Sequence, residues 1–184
     1  MLKIEAHTLK RKLTPTTNPF LSLSRSIIYQ QISTKAGDSI QAKFLKLFGK
    51  KTPSPKLFLT FTSVQLKSAG ISPQKQKYLK DLAEKFLDKT VDPTHFASMT
   101  NAQITEHLTQ VKGIGNWTAD MFLIFALNRK DVLPVGDLGI RKGFQKVFKL
   151  KKLPSERRML ELAKPHREQL TDLSLFLWES LDNN

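Results

Sequence analysis

Leu108-Thr109-Gln110-Val111-Lys112-Gly113-Ile114-Gly115-Asn116-Trp117-Thr118-Ala119-Asp120 ends one predicted helix, turns on two glycines, and opens another. Glycine tolerates positive φ and close backbone approach, so Gly113 and Gly115 suit a tight helix–helix turn facing a phosphate. The amides that open the second helix, near Asn116 to Thr118, then form an anion site. An apolar helical run follows. After it, Leu133-Pro134-Val135-Gly136-Asp137-Leu138-Gly139 sets a lone carboxylate at the mouth of a further helix over 138–148. By position Asp137 reads as a helix N-cap or as a catalytic carboxylate, and the two roles can coexist.

Working outward, the 184-residue chain carries Lys+Arg 30 against Asp+Glu 16, a net charge of +14 and a pI near 10.0. A phosphate backbone is the commonest partner for such an imbalance, although ribosomal, membrane-surface and heparin-type partners stay open on charge alone. There is no cysteine, which excludes disulfides, zinc knuckles and thiolate nucleophiles. His7, His95, His107 and His166 lack the paired spacing of metal ligands. No apolar run approaches the length of a membrane span, and no signal-peptide core is present near the N-terminus. An intracellular location is expected: the nucleus in a eukaryote, the cytoplasm or nucleoid in a prokaryote.

Helical spacing recurs along the chain. Leu23, Ile27, Ile28 and Ile32 form one stripe within 20–33, and Ile40, Phe44, Leu45 and Phe48 another within 35–48. Ser54-Pro55, Ser72-Pro73 and Asp92-Pro93 each pair an N-cap residue with proline at the first helical position. Tyr78, Leu79, Leu82, Phe86 and Leu87 give a third stripe, and Thr100-Asn101-Ala102-Gln103 has capping-box spacing. The nearly all-apolar run 121–127 predicts the buried centre of its lobe. Further helices are expected over 155–164 and 167–181, with Leu173, Phe176, Leu177 and Leu181 facing inward. Only 56–62, rich in Phe and Thr, is ambiguous between strand and helix. The pattern predicts an all-α protein of about eight to ten helices.

These motifs resemble the helix-hairpin-helix (HhH-GPD) DNA glycosylase superfamily, and within it the 3-methyladenine DNA glycosylase II branch. The resemblance is carried by 111–120, by Leu133-Pro134-Val135-Gly136-Asp137-Leu138-Gly139-Ile140-Arg141, and by Ile27-Ile28-Tyr29-Gln30-Gln31-Ile32-Ser33. It spans roughly residues 20–180, nearly the whole chain. It implies an N-terminal segment 1–19 and a glycosylase domain 20–184. That domain would form two helical lobes, roughly 34–130 and the remainder, with a cleft between them. No β-rich N-terminal domain is expected. Without cysteine, the iron–sulfur cluster that several relatives carry near the C-terminus is ruled out.

The resemblance also distributes roles. Asp137 would stabilise the oxocarbenium-like transition state of glycosidic cleavage and orient the attacking water. Trp117 stands where relatives that cut at abasic sites carry the Schiff-base lysine. It implies hydrolysis without strand cleavage, the indole either stacking on a flipped cationic base or filling core. Met121 and Leu138 would line the base pocket. Gly113, Ile114 and Gly115, with Lys112 and the Thr118 amide, would grip phosphates. Gln31, or Gln30, would plug the space of the extruded nucleotide, the alternative being an exposed helix end. Arg141, with Lys142, Lys146 and Lys149, is a candidate for phosphate contact. No cofactor is required, although the backbone carbonyls of Thr109, Val111 and Ile114 would hold a structural Na+ or K+ when DNA is bound. Asp120, early in its helix, is read as complementing the helix dipole. Leu177-Trp178 is read as structural.

The expected function is a monofunctional, monomeric glycosylase. Its expected substrates are alkylated purines, such as 3-methyladenine or 7-methylguanine, in double-stranded DNA. Two other readings remain: a glycosylase for another damaged or mismatched base, and a non-catalytic helix-hairpin-helix DNA-binding module.

Overall fold

The computed structural model of the protein describes residues 13–182, which form helices and turns with no strand among them. The basic stretch 1–12, with His7, lies outside the described residues. Five helices come first: α1 (Pro19–Tyr29), α2 (Thr34–Leu47), α3 (Pro55–Phe58), α4 (Ser63–Ser68) and α5 (Pro73–Leu87). Five more follow: α6 (Asn101–Thr109), α7 (Asn116–Phe125), α8 (Leu138–Val147), α9 (Glu156–Ala163) and α10 (Leu170–Asp182). Single 3-10 turns occupy Pro93–His95 and Lys164–His166. The all-α class is as expected. No helix among the described residues is long and apolar enough to cross a membrane.

Most helix starts are decided locally. Asn18, Ser54 and Ser72 accept the amides of Leu21, Leu57 and Lys75, each just ahead of a proline. Proline lacks the N–H that a first turn would leave unpaired, so each pair both caps and starts its helix. Thr100 and Gln103 close a reciprocal capping box on α6, and Thr62 and Gln65 close a second on α4. Asp92-Pro93 yields less than its pattern suggests. The Asp92 carboxylate accepts from the Thr94 amide two residues on, which closes a tight turn and a single 3-10 turn instead of an α-helix. The ambiguous 56–62 stretch is helix and turn, and Phe58 and Phe61 pack edge to face at 6.2 Å.

Two helices are shorter than their stripes. α1 stops at Tyr29 because the Gln30 amide bonds back to Ile27 O and Gln31 turns left-handed. α10 begins at Leu170, after the 3-10 turn that contains Pro165.

The chain divides into two compact units, 16–122 and 123–182, with 13–15 joining the second. The division falls after Phe122, inside α7. In the first unit α5 is the central helix, and α1, α3 and α4 pack on it. Phe20, Ile27, Ile28, Phe44, Phe58, Leu79 and Leu82 are buried there. Phe20 meets Phe86 edge to face at 5.6 Å, a geometry that contributes beyond buried area. α1 packs against α2 and α5 and so lies in this unit, whereas the expected division began at 34.

In the second unit α8 pairs with α10, burying Ile140, Phe144, Leu173 and Leu177 with Met159 of α9. Gly143 permits the close approach: a Cβ there would lie 2.6 Å from the Leu177 carbonyl oxygen. The 121–127 run is less buried than expected. Phe122, Leu123 and Ile124 are in the core, but Phe125 is 39% exposed.

Candidate functional site

The hairpin between α6 and α7 is anchored by its apolar side chains. Leu108, Val111 and Ile114 are buried, which turns the backbone of 112–116 outward. Gly113 has φ 82, and a Cβ there would fall 2.2 Å from the Tyr78 ring, so only glycine fits. Gly115 differs from its expected role. Its φ is not left-handed, and a Cβ on it would meet open space. The fold itself therefore does not require glycine at 115.

Three residues, from α5 and from the end of α1, hold this hairpin. Besides the Tyr78 ring, Asp81 Oδ2 accepts the Lys112 amide at 2.8 Å, and Gln30 Nε2 donates to Gly113 O at 2.7 Å. Asp81 is nearly buried, and Lys112 Nζ (3.4 Å) and Lys85 Nζ (3.9 Å) flank its carboxylate. The amide-to-carboxylate bond contributes about 1.5–3 kcal/mol, as bonds to charged groups do. The ion pair with the exposed Lys112 ammonium adds little in solvent. The helix ladder of α7 starts with the Ala119 amide on Gly115 O. The amides of Asn116, Trp117 and Thr118 thus belong to the first turn, where a helix has no internal acceptor for them. The Thr118 side chain is buried, which leaves the amide as its means of reaching an anion.

Trp117 is 52% exposed, so it is not core filler. Met121, one turn on and on the same helix face, is half-buried. Asp120 does not behave as a dipole partner would. It lies past the first turn of α7, and burial pushes its carboxyl up to about 6. Gln31 is exposed in a left-handed conformation with φ 58, while Gln30 is committed to the hairpin.

In the second unit Asp137 caps α8 as its position suggests, accepting the Ile140 amide on Oδ1 at 2.8 Å. A second bond was not legible beforehand: the Trp178 indole N–H donates to the same oxygen at 2.9 Å. Trp178, read as structural, is the carboxylate's orienting donor. It stacks on Phe125 with ring centroids 6.1 Å apart. A Cβ on Gly139 would lie 2.9 Å from Asp137 Oδ1 and 3.0 Å from Trp178, so glycine makes room for this bond.

The loop that leads to Asp137 is pinned by α10. Thr171 Oγ1 donates to Arg129 O at 2.6 Å and accepts the Val132 amide at 3.2 Å, and Ser174 Oγ donates to Val132 O at 3.0 Å. Both hydroxyl residues are fully buried. Leu138, the first residue of α8, is 53% exposed. Arg141 places its Nε 3.3 Å from Pro154 O, and Lys146 Nζ donates to Ser180 O at 2.6 Å, so both take part in holding their own unit. Lys142 and Lys149 are exposed.

An amide-lined hairpin and a capped, indole-oriented carboxylate now stand beside an all-helical fold. Residues 24–168 match the HhH-GPD superfamily of base excision DNA repair proteins, and the chain belongs to that superfamily. It is 33% identical over 167 residues to DNA-3-methyladenine glycosylase 1 of Schizosaccharomyces pombe, covering 88% of this chain and 72% of that protein. It is 36% identical over 181 residues to the DNA-3-methyladenine glycosylase of Saccharomyces cerevisiae, covering 89% of this chain and 61% of that one. The crystal structure of a DNA-3-methyladenine glycosidase from Bacillus halodurans superposes with a TM-score of 0.86 at 32% identity, over 94% of this chain and 80% of its own. The 3-methyladenine DNA glycosylase of Schizosaccharomyces pombe in complex with abasic DNA gives a TM-score of 0.78 at 28% identity, over 95% of this chain and 86% of its own.

Proposed function

We propose that the chain is a monofunctional DNA glycosylase acting in base excision repair. It hydrolyses the N-glycosidic bond of alkylated, cationic purines such as 3-methyladenine or 7-methylguanine in duplex DNA. The observation that carries this reading is the Asp137 carboxylate, fixed by the Ile140 amide and the Trp178 indole on one oxygen. A carboxylate so oriented does not reorganise as positive charge grows on a deoxyribose, which is the condition for electrostatic stabilisation of an oxocarbenium-like state. It also orients, or takes a proton from, the attacking water. A cationic purine leaves readily as a neutral base, so the chain needs no general acid for it.

The half-exposed Trp117 offers an indole face to such a cation, and tryptophan has no amine with which to form a Schiff base. The hairpin amides and the open side of Gly115 suit a phosphate backbone in any sequence. The backbone carbonyls of Thr109, Val111 and Ile114 would hold a monovalent cation when DNA is bound; Val111 O, which accepts the Ile114 amide, has a second lone pair for it. The substrate class is supported by the relatives' names. A monomer is sufficient for this chemistry.

The test is base release from duplexes that each carry one defined lesion, followed by borohydride reduction. Release of 3-methyladenine or 7-methylguanine with an intact abasic site and no trapped adduct is expected. Release confined to another lesion would replace the substrate, and a trapped protein–DNA adduct would show a lysine nucleophile and strand-cleaving chemistry.

A further inference from the structure

We infer that Lys75 is a positioning residue which, together with Gln30, holds the α1–α2 corner so that Gln31 is presented for insertion into a duplex. The inference rests on the glycosylase reading in one respect: it gives Gln31 a duplex to enter. α1 has no basic residue in its last turn and no glycine directly after it, and from its own neighbours only the Gln30 amide turns back, to Ile27 O. The last carbonyls of a helix form the negative end of its dipole and need donors. Lys75, in the first turn of α5, supplies them from 47 and 45 residues away. Its Nζ donates to Ile28 O at 2.6 Å and to Gln30 O at 2.9 Å. The ammonium is partly buried, and burial lowers its pKa below the ordinary lysine value.

The same corner is fixed on its other sides. Gln30 ties it to the hairpin through Gly113 O. Tyr29 lies flat against Gly37, where a Cβ would fall 2.6 Å from its ring, and its hydroxyl donates to Asp38 at 2.5 Å. Between these fixed points Gln31 stands exposed with φ 58. Residues other than glycine rarely hold that conformation, and it persists only where the surroundings impose it. The two carbonyl bonds of Lys75 and the Gln30 bond are what impose it. A side chain that replaces an extruded nucleotide has to hold its place against stacked neighbours, so a slack corner would give way. The ammonium of Lys75 serves carbonyls and leaves phosphate to other residues.

The experiment uses the full chain and a duplex with a tetrahydrofuran abasic analogue beside a 2-aminopurine, whose fluorescence rises when it is unstacked. Gln31→Ala sets the reference loss. Lys75→Met should lower the rise by about tenfold, and in the Gln31→Ala background it should add nothing, as expected of residues acting as one unit. Lys75→Arg, whose guanidinium can still reach two carbonyls, should restore the signal. Affinity for undamaged duplex and its salt slope should match wild type, because no phosphate contact is lost. Gln30→Leu cuts the lock from the hairpin side, and at saturating protein, where any weaker hairpin grip is offset, it too should add nothing to Gln31→Ala even if Lys75→Met folds poorly.

Losses that multiply with Gln31→Ala, or a salt slope reduced by Lys75→Met, would overturn the inference. So would a wild-type signal that does not depend on Gln31. Because the probe carries no alkylated base, a Gln31-dependent signal on it, combined with no release from separate duplexes carrying 3-methyladenine or 7-methylguanine, would sink the substrate reading and leave this one standing.

Discussion

The hairpin and the carboxylate loop are held by opposite strategies. The hairpin acts through backbone amides, so its apolar side chains Leu108, Val111 and Ile114 point inward and its shape is imposed by Gln30 at the end of α1 and by Tyr78 and Asp81 of α5. The loop acts through one side chain, Asp137. Here the backbone is pinned by Thr171 and Ser174, and the carboxylate is aimed by Ile140 and Trp178. A backbone grip tolerates changes of exposed side chains but not of backbone geometry. A carboxylate tolerates neither loss of its donors nor loss of its charge.

The sharpest way to break this contrast is at the two hairpin glycines. Gly113→Ala meets both a left-handed φ and the Tyr78 ring, so it should destabilise the fold by about 1–3 kcal/mol and weaken duplex binding. Gly115→Ala meets open space and should leave the folding stability within about 0.5 kcal/mol of wild type while still weakening binding. Thermal melts with duplex titrations separate the two. Equal melting losses would mean that Gly115 is a folding residue.

Next in size is the carboxylate's aim. Trp178→Phe keeps the stacking surface for Phe125 but removes the donor to Asp137. A charge-assisted bond of about 1.5–3 kcal/mol predicts a roughly tenfold or greater loss of single-turnover base release. Duplex affinity should be unchanged. An unaltered release rate would return Trp178 to a packing role.

Asp120 gives a smaller, pH-dependent effect. Its folded pKa is raised to about 6 from an ordinary 3.8, so its ionisation opposes folding, and the stability it gives when protonated is lost as pH rises through about 6. Asp120→Asn should therefore stabilise the chain at pH 8 by about 1 kcal/mol, a figure discounted for the group's partial exposure. The gain should vanish below the unfolded pKa. A gain independent of pH would locate the effect elsewhere.

Smallest is Gln31→Gly, which relieves a left-handed residue and should raise stability by a few tenths to about 1 kcal/mol. The same change removes the side chain expected to enter the duplex, so stability and base release should move in opposite directions. Chemical denaturation beside a release assay reads both.

The parts of this arrangement that were legible in the sequence are those decided by neighbours along the chain. Ser54-Pro55, Ser72-Pro73 and the Thr100–Gln103 box start helices because cap and first turn lie within three residues. Asp137 was visible for the same reason, being the N-cap it was read as. The Thr62–Gln65 box had the same spacing and would have revealed α4. The holding residues were not legible. Asp81 to Lys112, Lys75 to Ile28 and Trp178 to Asp137 join positions 31, 47 and 41 apart, and no local period encodes such pairs. Asp92-Pro93 shows the converse: a correct local signal closed a turn that no packing extended into a helix. Asp120 was misread because sequence position reports the dipole and not the burial that outweighs it.

The most direct measurement is single-turnover base release by Asp137→Asn on a duplex carrying one 7-methylguanine. Asparagine keeps an oxygen able to accept from Ile140 and Trp178 but carries no charge to set against the developing cation. Release should fall by about 10²- to 10³-fold, the size seen when one electrostatic group of a preorganised site is removed, with duplex affinity retained. Release at the wild-type rate would contradict the account and leave Asp137 a helix cap.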